Sequence, residues 1–329
     1  MRETHIFFPE SLAEGLKHLS QPQCMIIAGG TDLVVLMKDR LIQPTSLISF
    51  SKVAELSQFK QGDDGWEFGA MTPLWQLERS VDIAGQYPAL NQAISKLAAP
   101  PIRNQATLGG NLCLDVKCIY YNQSQIWPRS LAKCLKAGGE VCHVAPGGHK
   151  CFGAMVADTV GPLVIYGGEV TVSSDKSLRK LPVSSFFTGD GLCPQALERG
   201  EVVTAIHLPR QANRFGAAYF RLAHRKAIGF SHFNLTAGVH LDDRDRIQKV
   251  ELVVGALAPK PIEIRESLSP LIGKKLSSEL RSVAAREATR EVRKISGSPR
   301  LTPYLQKVVP IYIERLLDQA THQASMDRR

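Results

Sequence analysis

Residues 24–44 read CMIIAGGTDLVVLMKDRLIQP. The apolar Met25–Ala28 predicts a buried strand, and apolar residues at 33, 34, 36 and 37 predict an amphipathic helix over 33–40. Between them stand Gly29, Gly30, Thr31 and Asp32. A plain turn needs one or two such residues. Four in a row suit a loop whose backbone N–H groups must approach a bulky anion. Glycine has no Cβ to hold a ligand away and tolerates positive φ. Successive N–H groups then converge into an anion-binding nest, and the start of the following helix favours a phosphate.

A second stretch, Thr107-Leu108-Gly109-Gly110-Asn111, has the same form. Two nests from distant parts of the chain could clasp a pyrophosphate from both sides. The competing reading is a pair of structural turns. No G-x-G-x-x-G stands in a strand–helix–strand context, and no G-x-x-x-x-G-K-[ST] occurs, so a Rossmann site and a P-loop are disfavoured.

Around these loops the pattern alternates strands and helices. Ser11 is placed to cap a helix over Leu12–Leu19, with Glu14 completing a capping box. A strand is expected at Leu47–Phe50, another at Trp66–Ala70, then a helix with Pro73 in its first turn and a helix over Leu90–Ala98. A short helix precedes a strand at Glu169–Ser173, and 201–209 reads as a closing strand. Beyond 214, three strands are expected within 217–225, 232–241 and 247–257, the last two joined by the charged DDRDR turn. Helices fill 276–319, with breaks at Ser296–Pro299 and Pro303, and 321–329 reads as a mobile tail. The boundaries that result are 1–55, 56–212 and 213–329, with 114–152 as an insertion lacking apolar periodicity.

Composition narrows the function classes. Hydrophobic residues make up 44% and charged residues 22%, ordinary for a globular protein. No stretch approaches the roughly 20 apolar residues of a membrane span, and the first residues lack a signal-peptide pattern, so a cytoplasmic location without membrane contact is expected. The net charge of +9 is scattered, aromatics are only 7%, and no zinc-finger spacing occurs, which argues against nucleic acid. An acidic partner, such as a small redox protein or another subunit, fits the charge better.

Cys24, Cys113 and Cys193 are isolated, whereas Cys118, Cys134, Cys142 and Cys151 share the insertion with spacing C-x15-C-x7-C-x8-C. An odd total of seven argues against a disulfide framework. Four thiolates can hold a tetrahedral zinc ion or an iron–sulfur cluster. Zinc sites usually show close C-x2–4-C pairs, which are missing here. Isolated ligands suit a cube whose corners lie apart. Zinc, a mixed site with His143 or His149, and four free thiols remain open on spacing alone.

AGGTDL followed by ATLGGNL resembles the flavin-binding subunits of the xanthine oxidase (molybdenum hydroxylase) family, and the similarity spans essentially the whole chain. The resemblance implies an α+β, two-subdomain FAD-binding fold of the vanillyl-alcohol-oxidase-like (PCMH) type, followed by a domain with a three-stranded antiparallel sheet and helices. It implies FAD contacts from Ile26, Ile27, Ala28, Gly29, Gly30, Thr31, Asp32 and Leu33, and from Thr107, Leu108, Gly109, Gly110 and Asn111. Leu97 falls where the family sets a residue against the flavin, and Asp158 where it sets an acid on a cofactor hydroxyl. Arg221 stands where the family has a lysine; its planar fork differs from an ammonium. No side chain is expected to be catalytic, because the flavin carries the redox chemistry.

The cysteine insertion, led in by CLDVKCIYYNQS, resembles that of the β subunits of 4-hydroxybenzoyl-CoA reductases. This implies a 4Fe-4S cluster on Cys118, Cys134, Cys142 and Cys151, with Cys113 a buried thiol beside the FAD loop. It further implies a molybdenum-cofactor large subunit, a 2Fe-2S small subunit, a dimer of such heterotrimers, and ferredoxin as an outside electron carrier. Electrons would enter at the 4Fe-4S cluster and pass through FAD toward molybdenum. The alternative is the same wire run outward from a molybdenum centre that oxidises an aldehyde, an N-heterocycle or another substrate.

Overall fold

The structure is a computed structural model and describes residues 4–19, 24–123, 132–296 and 301–326. The chain opens with β1 (His5–Phe7), α1 (Leu12–Leu19), β2 (Cys24–Ile26), α2 (Leu33–Lys38) and β3 (Ser46–Ile48). These strands form a parallel sheet in the order β1-β3-β2. Parallel pairing needs a crossover between neighbours, and the short helices supply it. The Ser11 hydroxyl accepts from the Glu14 N–H at 3.2 Å, as a cap should. The Glu14 carboxylate reaches the N–H of Glu10 rather than that of Ser11. The third strand ends at Ile48, and Phe50 already belongs to a 3-10 turn.

A five-stranded antiparallel sheet follows, from β4 (Phe59–Gln61), β5 (Gly65–Gly69), β6 (Glu169–Ser173), β7 (Leu178–Pro182) and β8 (Val202–Pro209). Its order is β4-β5-β8-β6-β7, so the strand expected to close the unit is its centre. The alternation Val202–Val203–Thr204 reads as fully buried because helices cover the sheet. Those helices are α3 (Leu74–Arg79), α4 (Val81–Gln86), α5 (Pro88–Lys96), α6 (Pro100–Gln105), α7 (Leu108–Leu112) and α8 (Val160–Ile165). Tyr87 locks the layer: its hydroxyl donates to the Leu208 and Pro209 carbonyls at 3.0 and 3.1 Å. Its ring meets Tyr166 edge-on at 5.1 Å, and the Tyr166 oxygen accepts from the Ala89 N–H. This holds α5, whose end delivers Leu97 to the cavity described below.

The last part contains β9 (Phe215–Leu222), β10 (Phe233–Leu241), β11 (Ile247–Gly255) and β12 (Ile262–Ile264), then α9 (Ser278–Ser296) and α10 (Pro303–Met326). The sheet is four-stranded, β12-β11-β10-β9, not three-stranded as expected. The extra strand was hidden because it has only three residues, flanked by Pro261 and Arg265, too short for alternation to register. Pro303 starts α10 instead of breaking a helix, since proline at the first helical position loses no needed donor. Residues 321–326, expected to be mobile, are its final turns, anchored by Ala320 and Ala324 against β9. The expected break at 296–299 falls mostly outside the described residues. Among the described residues, no helix is long and apolar enough to cross a membrane.

The sheet and α10 approach so closely that a Cβ on Gly216 would lie 2.1 Å from the Ala320 carbonyl oxygen. Gly216→Val should therefore force the two apart and lower stability by about 1–3 kcal/mol, read as a lower urea midpoint at unchanged slope. A variant as stable as the natural chain would contradict this packing.

Candidate functional site

The two glycine loops lie side by side. A Cβ on Gly29 would fall 1.9 Å from the carbonyl oxygen of Gln105, at the end of α6 and just before the second loop. Gly29 therefore serves close approach of one backbone to another. Gly30 adopts φ of 69°, a conformation glycine takes at no steric cost. Gly109 packs the same way, its would-be Cβ 2.7 Å from the Ala70 oxygen.

The loops differ in what their amides do. In the second loop, the Leu108 and Gly109 N–H groups donate to the Thr72 and Ala70 carbonyls, each at 2.9 Å. The Gly110 N–H donates to the Thr107 hydroxyl at 3.0 Å, and that of Asn111 to the Thr107 carbonyl. The Asn111 amide oxygen accepts from the Thr159 hydroxyl at 2.8 Å. This loop does not form the second nest expected from its sequence, because its donors are spent on a Thr-capped helix and on the turn that follows β5. In the first loop, among the described residues, the N–H groups of Ala28, Gly29, Gly30, Thr31 and Asp32 have no backbone partner. Asp32 does not cap α2; its carboxylate pairs instead with the ammonium of Lys117 at 2.5 Å. Asp32 thus leaves the amides of 28–32 without a side-chain cap, while the Val34 N–H inside α2 donates to the Gly30 carbonyl at 3.1 Å.

A cavity of about 890 Å³ lies along these loops, within the range of sites that enclose a cofactor. Its wall includes Ile26, Ala28, Gly29, Gly30, Thr31, Asp32, Leu33, Leu97, Thr107, Gly109, Gly110, Asn111, Asp158 and Arg221. Of the residues singled out in the sequence, Ile27 and Leu108 are not in the wall; Leu108 is wholly buried beneath it. Other lining residues carry no motif: Ile102, Tyr121, Lys136, Gln195, Ile228 and Phe230. They come from distant segments, and only the fold gathers them.

Asp158 is buried at the far side. Its carboxylate accepts from the Tyr219 hydroxyl at 2.7 Å, from Ser231 and Asn234 at 3.3 Å, and lies 3.2 Å from the Arg221 Nε. Burial pushes its carboxyl up, while the Arg221 guanidinium and these three donors pull it down. Arg221 also donates to the carbonyls of Lys96 and Gly229. It fixes the junction of α5 with the 223–230 segment, and it still lines the cavity. Leu97 is held by Arg103, whose Nη1 donates to the Leu97 carbonyl at 2.8 Å while Glu78 grips the guanidinium at 2.8 and 2.9 Å. Such a bidentate pair fixes direction as well as distance. Next to it, Ala98 takes φ of 45°, so the lip of the cavity is strained.

Cys118, Cys134, Cys142 and Cys151 are all free thiols between 4% and 8% exposed. Cys118, Cys134 and Cys142 pack with Tyr121 and Val144 as the insertion's own small core. The Phe152 and Gly153 N–H groups donate to the sulfurs of Cys142 and Cys151 at 3.5 and 3.4 Å. Burial pushes the Cys151 thiol up, the Gly153 N–H and Lys136 pull it down, and Cys142 and Cys118 are near enough to push it up again. Among the described residues, no group of three or more His, Cys, Asp or Glu side chains is set to hold a metal ion. The expected ligands are thus gathered and desolvated, but not closed into a finished ion site. His143 is engaged with the Ala132 carbonyl, and His149 is exposed. Burial raises the Cys113 thiol to about 12, consistent with an inert thiol on the cavity wall.

Open amides beside a cofactor-sized cavity, in this three-sheet frame, suit a large anionic ligand. The chain belongs to the family of FAD-binding domains of molybdopterin dehydrogenases, which it matches over residues 2–211; residues 218–320 match the C-terminal domain of CO dehydrogenase flavoproteins. It is 28% identical over 260 residues to the xanthine dehydrogenase FAD-binding subunit of Escherichia coli O157:H7, covering 78% of this chain and 75% of that one. It is 25% identical over 283 residues to the nicotinate dehydrogenase FAD-subunit of Eubacterium barkeri, covering 85% and 83%. The fold matches quinoline 2-oxidoreductase from Pseudomonas putida 86 with a TM-score of 0.76, at 21% identity over 98% of both chains.

Removing the guanidinium in Arg103→Met should leave Glu78 unpaired and free the Leu97 carbonyl. A loss of about 3 kcal/mol in urea unfolding is expected for breaking so sheltered a pair. A change under about 0.5 kcal/mol, the size usual for surface sites, would show that the clamp carries no weight.

Proposed function

We propose that this chain is the electron-transfer subunit of a molybdenum-dependent oxidoreductase, holding FAD in the cavity between the two glycine loops and a 4Fe-4S cluster on the cysteine insertion. Its membership in the FAD-subunit family of molybdopterin dehydrogenases supports the first half. The observation that carries the flavin assignment is the row of unpartnered amides at 28–32, opening onto a cavity of cofactor size. Those amides would receive the diphosphate. Thr107, Gly110 and Asn111 would form the opposite wall, acting by shape and not by donating N–H groups. Leu97 would press on the ring system, and Asp158 with Arg221 would meet polar groups at the far side.

FAD when bound supplies two-electron exchange with one partner and one-electron exchange with iron–sulfur centres; the protein contributes position and electrostatics. This chain's residues would line the cofactor's cavity and hold the loops in place. Substrate chemistry would occur on a molybdenum-bearing partner, reached through a 2Fe-2S subunit, in a cytoplasmic dimer of heterotrimers.

The burial of four free thiols and the N–H groups aimed at two of the sulfurs support the cluster assignment. Donors of this kind are among the features that set cluster potentials. On this reading Cys118, Cys134, Cys142 and Cys151 are the ligands. The complex would resemble 4-hydroxybenzoyl-CoA reductase, with ferredoxin delivering electrons for reductive dehydroxylation. A second reading, outward flow from oxidation of a heterocycle or aldehyde, draws support from the relatives named for xanthine and nicotinate dehydrogenases. Assay of the purified complex with reduced ferredoxin and 4-hydroxybenzoyl-CoA separates them. Dehydroxylation is expected; an otherwise active complex that fails to perform it would leave the second reading.

Two variants test the sites. A valine side chain at Gly110 starts from a Cβ already 2.9 Å from the Thr107 hydroxyl and 3.3 Å from Ala28. Gly110→Val should lower FAD occupancy at least tenfold, equivalent to about 1.4 kcal/mol, with the far-ultraviolet spectrum unchanged. Full flavin content would count against the loop assignment. Cys134→Ser should lose cluster iron yet still bind FAD supplied in excess. Unchanged iron would remove Cys134 from the ligand set.

A further inference from the structure

We infer that two lysines with sheltered side chains, Lys117 and Lys136, couple the cysteine insertion to the cofactor cavity, so that filling the cysteine site tightens FAD binding. This rests on the reading above that the thiols hold an iron–sulfur cluster and the cavity FAD.

Lys117 immediately precedes Cys118. Its backbone closes the neck of the insertion through a reciprocal pair of bonds with Ala154, at 2.8 and 2.9 Å. Its side chain, 10% exposed, crosses to Asp32 in the first glycine loop and lies 5.6 Å from the centre of the Phe230 ring. Asp32 lines both the FAD cavity and an adjoining cavity of about 880 Å³ whose wall includes Cys118. Lys136 follows Cys134 by two residues. Its ammonium, equally sheltered, donates to Asp115 at 2.8 Å and to the Gly191 carbonyl at 2.5 Å. Gly191 in turn donates its N–H to the Cys151 carbonyl, and Asp115 and Lys136 both line the FAD cavity. Each lysine thus sits one or two residues from a cysteine and ends on a carboxylate in the cavity wall.

The charges give the coupling its sign. Asp32 belongs to the loop offered to a diphosphate, and a bare carboxylate there would repel that anion. Lys117 cancels the charge only while the neck of the insertion holds it in place. A cluster bound to Cys118 fixes the neck; an empty set of thiols lets it shift, and the loss of a buried partner leaves Asp32 uncompensated. By linkage the effect is reciprocal, and bound FAD should strengthen retention of the cluster. Lys117 and Lys136 are positioning residues here and transfer nothing themselves.

The test uses the full chain, reconstituted anaerobically with ferrous iron and sulfide, or stripped by chelation, and titrated with FAD by fluorescence. In the natural chain, loading should tighten FAD by about 5-fold or more, the lower end of usual coupling. Lys117→Met should weaken FAD and reduce the loaded-to-stripped ratio below about 2-fold while iron still binds, and Lys117→Arg should restore part of the ratio. A merely structural role would lower the melting temperature and leave the ratio intact, which would overturn the inference. So would iron uptake by the natural chain with one FAD affinity in both states, and the cluster assignment would then still stand. A natural chain that takes up no iron overturns that assignment, and the coupling falls with it. If Lys117→Met does not fold, Lys136→Met carries the same comparison, and a ratio unchanged from the natural chain overturns the inference.

Discussion

The site depends on one contact: the backbone of Gly29 against the carbonyl of Gln105. A Cβ would stand 1.9 Å from that oxygen, so the approach is closed to every other residue. The first loop rests on the end of α6 and lines the cavity, and among the described residues its amides at 28–32 pair with no neighbouring backbone. The same approach sets the second loop beside it, with Gly109 packed on Ala70. Three sheets are arranged so that this junction forms: the small parallel sheet brings the first loop, the five-stranded sheet carries the second, and the C-terminal sheet supplies Arg221 from its edge.

This division of labour changes the meaning of the repeated Gly-Gly pattern. The two loops look alike in sequence, yet only one keeps its donors open. The second satisfies its own amides through Thr107 and the carbonyls of Ala70 and Thr72, as buried backbone groups must. The reading of both loops as turns is therefore half right. The glycines of the second loop answer to packing, and on the proposed function those of the first answer to packing and ligand together.

Local signals were legible where one residue decides the outcome. Ser11 marks a helix start, and the charged stretch at Asp242–Arg246 marks a hairpin; the helix that Thr107 caps reads in the sequence as a loop. The cavity could be placed from the glycine loops because Gly30 takes a conformation that few residues permit, and Gly29 and Gly109 sit where no Cβ fits. What the sequence hid depends on long-range contact. The central position of β8 follows from pairing with β5 and β6, strands far apart in the chain. The Arg103–Glu78 clamp and the Asp158 network use ordinary residues with no spacing rule. The insertion was recognisable by its cysteines, but its two lysine ties were not. A lysine beside a cysteine looks like a solvated charge until the fold shows it buried against Asp32 or Asp115.

The most direct test of the central claim is amide hydrogen exchange on the full chain with and without FAD, resolved over the two loops. The account predicts marked slowing at residues 28–32, whose N–H groups gain acceptors only from the ligand. It predicts little change at 108–111, whose N–H groups are already bonded. Slowing confined to 108–111, with 28–32 exchanging freely in the presence of saturating FAD, would contradict it.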